Sequence, residues 1–138
     1  MSADPARIAE VRAWMSKAAT DLRAGAHDLS AVPPILEDVV FHGQQAVEKA
    51  LKALLTWNDC DFRKTHSIEE LGEQCLRLDA TLRPLIDRAA PLTEYAWKYR
   101  YPGEPDEPTP DEAKDALAVA RNVYDAIRSR LPEEARPA

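Results

Sequence analysis

The segment Phe41-His42-Gly43-Gln44-Gln45-Ala46-Val47-Glu48-Lys49-Ala50-Leu51-Lys52-Ala53-Leu54-Leu55 sets amide, carboxylate, ammonium and imidazole groups into one apolar-periodic run. At helical spacing Val40, Gln44, Val47, Leu51 and Leu54 share a face, so Gln44 points to the core or to an interface. A buried amide must find partners or cost free energy. Gln45, Glu48 and Lys52 rise one above another on an adjacent face. Glu48 and Lys52 stand in the favourable i, i+4 order. The plainer reading of the same residues is a core helix with a solvated Glu48–Lys52 pair and a Gln44 amide satisfied locally.

Two further stretches combine reactive types. Arg63-Lys64-Thr65-His66 is a basic loop ahead of a helix start, where backbone N–H groups attract a phosphate or carboxylate. It also reads as a capped helix with solvated charges. Tyr95-Ala96-Trp97-Lys98-Tyr99-Arg100-Tyr101-Pro102 alternates aromatic and cationic residues at a helix end. Aromatics and Arg form recognition surfaces and can stack a base; the plainer alternative is an aromatic lid on the core. The histidines, at 27, 42 and 66, offer no i, i+4 ligand pair, so neither metal nor cofactor is expected.

These groups need elements to position them. Ile8, Val11, Met15, Ala18, Leu22, Ala26 and Leu29 recur at threes and fours and predict a first helix from Pro5 to Leu29. Asp4 caps it, and Ser30-Ala31-Val32-Pro33-Pro34 stops it. A second helix runs from Ile35 to Trp57, ended by the polar break Asn58-Asp59-Cys60-Asp61. A third follows Thr65 or Ser67, with Ser67 and Glu70 as a capping box and Ile68, Leu71, Cys75 and Leu78 inward. A fourth covers Leu82 to Lys98, with Pro91 expected to kink or split it. Residues 101–108, rich in proline, cannot hold a helix. The last helix starts at Thr109-Pro110 with Glu112 closing a capping box, and Ala113, Leu117, Ala120, Val123, Tyr124, Ile127 and Leu131 face inward. No strand pattern or repeat is present. The expectation is a single all-α domain over residues 1–138, with its core at about 5–131. Its four to five helices would pack as an antiparallel up-and-down bundle.

Composition narrows the classes. The chain has 138 residues, 45% of them apolar, which suits one domain with one core. Its formal net charge is -6, opposite to what a general nucleic-acid binder needs, although a local RNA contact stays open. No run approaches a membrane span, and the polar start MSADPARIAEV lacks a signal-peptide core. Cys60 and Cys75 form no zinc spacing and read as reduced thiols of a cytoplasmic protein.

The segment FHGQQAVEKALKALL, Thr65-His66, Arg100-Tyr101-Pro102, and Trp14 followed by Ala18-x-x-Asp21-Leu22 and Ala26 together resemble the HEPN family (higher eukaryotes and prokaryotes nucleotide-binding). The likeness runs from about Trp14 to Leu131. Gly43 departs from the small non-glycine residue of the family pattern, lowering helix propensity by roughly 1 kcal/mol but permitting close packing. The resemblance implies a helical bundle that usually forms a homodimer. It also implies pairing with a minimal nucleotidyltransferase in a two-component, toxin–antitoxin-like system. Some members are metal-independent ribonucleases whose Arg precedes a His across four to six intervening residues. There His serves as acid or base and Arg stabilises phosphorane charge. The positions at that spacing are Thr20, Asp21 and Leu22 before His27; Ile35, Leu36 and Glu37 before His42; and Asp59, Cys60 and Asp61 before His66. None is Arg.

The leading expectation is therefore a non-catalytic HEPN protein that forms a homodimer and binds a nucleotidyltransferase or a nucleotide. Its expected contact residues are Lys49, Lys52, His66, Tyr99 and Arg100. The first alternative is an endoribonuclease toxin with a divergent site, in which His66 is the acid or base and Arg100 the phosphate clamp. The second is a purely structural helical module.

Overall fold

A computed structural model describes residues 4–103 and 107–138. Glu104, Pro105 and Asp106, part of the expected proline-rich loop, lie outside the described residues. The chain is all-helical, and no strand occurs among those residues. Its α-helices are α1 (Pro5–Ser30), α2 (Leu36–Trp57), α3 (Ile68–Leu78), α4 (Arg83–Ala89) and α5 (Pro110–Arg128). Short 3₁₀ segments cover Ala80–Leu82, Ala90–Ala96 and Glu133–Ala135.

The caps follow local chemistry. Asp4 accepts from the Ala6 amide, and Pro5 takes the first position, where no donor is needed. Thr109 and Glu112 close a reciprocal capping box. Ser67 accepts from the Glu70 amide, but its own amide donates to Thr65 Oγ1, so the box is completed by a threonine. After α2, Asp59 takes a left-handed backbone (φ 55°); its amide donates to Thr56 and that of Cys60 to Leu55. That is a Schellman ending with Asp where glycine is usual.

The fourth helix is shorter than the periodicity predicts. Pro91 lacks an amide proton and its ring crowds the carbonyl one turn back, so α4 ends at Ala89 and the chain continues as a 3₁₀ run. The Thr93 hydroxyl in that run accepts from the Ile68 amide at the start of α3 and donates to Glu69.

The central element is α2, which packs most extensively against α1 and next against α5. It is buried on nearly every side, from Leu36 to Leu55. Val11, Met15 and Leu22 of α1, and Ala113, Leu117, Ala120 and Ile127 of α5, join it in one core. The short connection makes α1 and α2 antiparallel, and their polar pairs occur in reverse order: Asp28 beside His42, then Asp21 beside Lys49. Gly43 lets α5 come close, since a Cβ there would lie 3.3 Å from the Ala116 carbonyl oxygen. Gly72 is tighter, with the Ile86 Cγ2 methyl of α4 2.5 Å from where a Cβ would be. Cys75 is fully buried and burial pushes its thiol up to about 12, so it packs as an apolar residue.

Asp79 ties the α3–α4 turn to the end of α5. It accepts from the Thr81 hydroxyl at 2.5 Å, from Arg130 Nε at 2.5 Å and from the Thr81 amide at 3.0 Å. These bonds, the Thr81 hydroxyl first, hold its carboxyl at about 2. Because the folded value is depressed, this tie is in full force above the ordinary carboxylate range and is lost as pH falls towards 2. Its carboxyl carbon shift should titrate near pH 2 by NMR and move upwards in Arg130→Ala. Gly72→Ala should lower stability by about 1–3 kcal/mol in urea unfolding, because β-branched Ile86 cannot yield without leaving its rotamer.

Candidate functional site

Helical spacing stacks Gln44, Glu48 and Lys52 on one flank of α2, and all three are buried: 0%, 4% and 6% exposed. The expected solvated pair is therefore corrected. Lys52 Nζ lies 2.9 Å from Glu48 Oε2 inside the protein. Two residues from elsewhere exclude water. The Lys52 ammonium sits 5.4 Å from the Trp14 ring centre of α1 and 5.8 Å from that of Phe62 in the α2–α3 connection. Both aromatic faces attract the cation. The two rings meet edge to face. The buried indole Nε1 of Trp14 has no hydrogen-bond acceptor among the described residues.

The other carboxylate oxygen of Glu48 is occupied as well. It accepts from the Gln44 amide at 3.2 Å and lies 2.8 Å from His66 Nδ1. Gln44 also donates to the His66 backbone carbonyl at 3.1 Å, and its own oxygen accepts from Gln45 at 2.7 Å. A buried charge is tolerated when paired and hydrogen-bonded on this scale. The geometry assigns the proton of neutral His66 to Nδ1, which donates to Glu48. Nε2 is then left free on a side chain 65% exposed. An imidazole backed by a carboxylate and open on its far nitrogen can accept or deliver a proton at that nitrogen.

A second polar cluster joins α1 to α2. Asp21, 7% exposed, receives Lys49 Nζ at 2.6 Å and lies 2.9 Å from His42 Nδ1. His42 Nε2 is 3.8 Å from Asp28. Beside this cluster Arg23, His27, Asp28, Asp38 and His42 line a groove of about 460 Å³.

Arg100 belongs to a third group. Its guanidinium lies 4.0 Å from the Phe41 ring centre and donates to Asp38 at 3.0 Å, in the first turn of α2. Tyr99 precedes it in a left-handed backbone conformation (φ 68°), which turns the chain towards that contact. The Tyr99 ring stacks on Tyr95 and lies beneath the Lys98 ammonium. Trp97 and Tyr101 nearby are exposed.

The five expected contact residues thus divide. Lys52 and His66 meet on Glu48. Lys49 turns to Asp21. Arg100 is anchored at Asp38, and at 1.5 Å per residue the Asp38 and Glu48 anchors are about 15 Å apart along α2. Tyr99 accompanies Arg100. Sequence reasoning passed over Asp21, His42, Trp14 and Phe62 as partners of these groups. A signal existed for two of them: Asp21 is a carboxylate inside the apolar stripe of α1, and Phe62 is a lone aromatic straight after a polar break.

Comparison with known proteins adds two findings. The sequence profile of the HEPN domain matches residues 11–130. A protein of Methanocaldococcus jannaschii, whose name designates it provisionally as a toxin, is 32% identical over an alignment covering 70% of this chain and 73% of that protein. No solved structure matches the chain.

Removing one partner of the buried pair should be costly. Glu48→Ala, which leaves the Lys52 ammonium buried and unpaired, is expected to lose about 3–5 kcal/mol in chemical denaturation. Glu48→Leu combined with Lys52→Met should regain most of that. A double variant as unstable as Glu48→Ala would show that the lost bonds to Gln44 and His66, and not the stranded charge, set the cost.

Proposed function

Because the chain belongs to the HEPN domain family, we propose that it is a dimeric, non-catalytic binding component of a two-component, toxin–antitoxin-like system, partnered by a minimal nucleotidyltransferase or its nucleotide. One observation carries this reading. The cations that a phosphate clamp would use are committed to carboxylates of the same chain: Lys49 to Asp21, Lys52 to Glu48 and Arg100 to Asp38. What remains outward is a recognition surface, made of the His66 ring and the exposed aromatic side chains of Trp97 and Tyr101. Such groups hold a partner or stack a base without transferring anything. The toxin designation of the archaeal relative agrees with a place on the toxin side of such a system.

A second reading, an endoribonuclease toxin with His66 as acid or base, is favoured by a specific observation of its own. Glu48 fixes the ring through Nδ1 and leaves Nε2 free, as proton transfer to or from an RNA 2′-hydroxyl or leaving oxygen requires. Arg100 would have to reach the same phosphate from its anchor on Asp38, by leaving it or from a second subunit.

The readings part on experiment. Co-expression with the product of the adjacent gene, followed by affinity capture, should recover a stable complex with a small nucleotidyltransferase. Calorimetric titration with ATP, GTP, CTP and UTP then asks for nucleotide heat, and neither complex nor heat would sink the binding reading. Under the binding reading, any effect of the chain alone on bacterial growth should be the same for His66→Ala. Growth arrest that His66→Ala relieves would instead establish the ribonuclease reading.

A further inference from the structure

The outer face of α1 presents a surface with its own two-fold logic. Glu10, Ala13, Trp14 and Lys17 line an open depression of about 270 Å³, and all four belong to α1, so no other described element covers it. Glu10, Ala13 and Lys17 are exposed, and Trp14 is half-buried. The hollow between Ala13 and Trp14 is largely apolar. Glu10 and Lys17 make no ion pair among the described residues, although most other α1 charges facing a neighbouring element do: Arg7 with Asp59, Asp21 with Lys49 and Asp28 with His42.

The spacing of these four residues is symmetric about the midpoint between Ala13 and Trp14. A second α1 laid antiparallel across the first, with the two-fold axis at that midpoint, sets Glu10 opposite the partner's Lys17 and Lys17 opposite the partner's Glu10. It sets Ala13 opposite the partner's Trp14. A parallel arrangement would put like charges face to face. The small Ala13 lets the helix axes approach, and the hollow beside it receives the partner's indole. One patch that complements itself in charge and shape under a two-fold rotation is what an isologous interface needs.

We propose that this face of α1 is where two copies of the chain pair, with antiparallel α1 helices and reciprocal Glu10–Lys17 contacts around Ala13 and Trp14. The proposal rests on the dimeric reading above and deepens it by naming the surface. It also joins the interface to the buried site. The inner side of Trp14 covers the Lys52 ammonium, so a subunit seated on the outer side holds that cover in place over Lys52 and Glu48.

The test is sedimentation equilibrium of the full chain and three variants, Glu10→Lys, Lys17→Glu and the double exchange. Thermal melts report that each is folded, as these exposed sites lead one to expect. The parent should be a dimer. Each single variant places two like-charged pairs across the axis and should raise the dimer dissociation constant by about tenfold or more. The double exchange restores opposite charges and should return it to within about threefold of the parent. The effect of the single variants should shrink as salt is raised. A dimer whose dissociation constant ignores both single variants would place the interface elsewhere and overturn this assignment, while the dimeric reading stands. A single variant that weakens the dimer without rescue by the double exchange would overturn the reciprocal pairing. A chain monomeric at every concentration would overturn the interface and the dimeric reading together.

Discussion

A carboxylate inside a helical bundle is the constraint from which much of this structure follows. Glu48 sits at 4% exposure in the most enclosed helix. The desolvation cost of a charge there is several kcal/mol, and attraction to one cation offsets it only with good geometry and extra hydrogen bonds. The fold supplies both. Lys52 comes from one turn further along the same helix, Gln44 from one turn back, and His66 from the loop that returns to α3. Trp14 and Phe62 close the side that water would enter. The α2–α3 connection is thereby drawn against α2 at two points, Phe62 and His66, and α3 starts where that connection leaves it.

The same pattern recurs on a smaller scale at Asp21. A carboxylate on α1 gathers Lys49 and His42 from α2 and so fixes the axial register of the two longest helices. Apolar stripes permit sliding by a turn at modest cost, whereas a buried ion pair loses its partner on sliding. Of the three candidate cations only Lys49 crosses between helices, to Asp21; Lys52 is held within α2 by Glu48 and Arg100 by Asp38, while the His66 side chain is held from behind by Glu48 and exposed in front.

Much of the architecture could be read from the sequence because it is decided locally. Asp4-Pro5, Thr109-Pro110 with Glu112, and Ser67 mark helix starts through bonds spanning two or three residues, and each start falls where those residues predict. The stripes of α1, α2 and α5 were legible for the same reason. Pro91 was visible as a breaker, but whether it bends a helix or ends it depends on packing against α2 and α3, and here it ends it. The site was less legible. Glu48 and Lys52 have the spacing of a surface pair, and only Trp14 and Phe62, distant in the chain, make the pair buried. His66 and Arg100 were both expected contact residues, but they are anchored on α2 at its middle, on Glu48, and at its first turn, on Asp38, a separation that no local spacing encodes.

The helix break at Pro91 has a mechanical side. Broken into a tighter coil, the chain turns Thr93 towards the first amide of α3, two residues after His66. The strand of backbone leading to Arg100 is thus fastened to the foot of the His66 loop like a stay to a mast. A tug on Arg100 from outside, such as a ligand drawing it off Asp38, would travel seven residues to that fastening. The proline that spoils a helix in this way thus ties, through one hydroxyl, the segment leading to Arg100 to the start of α3.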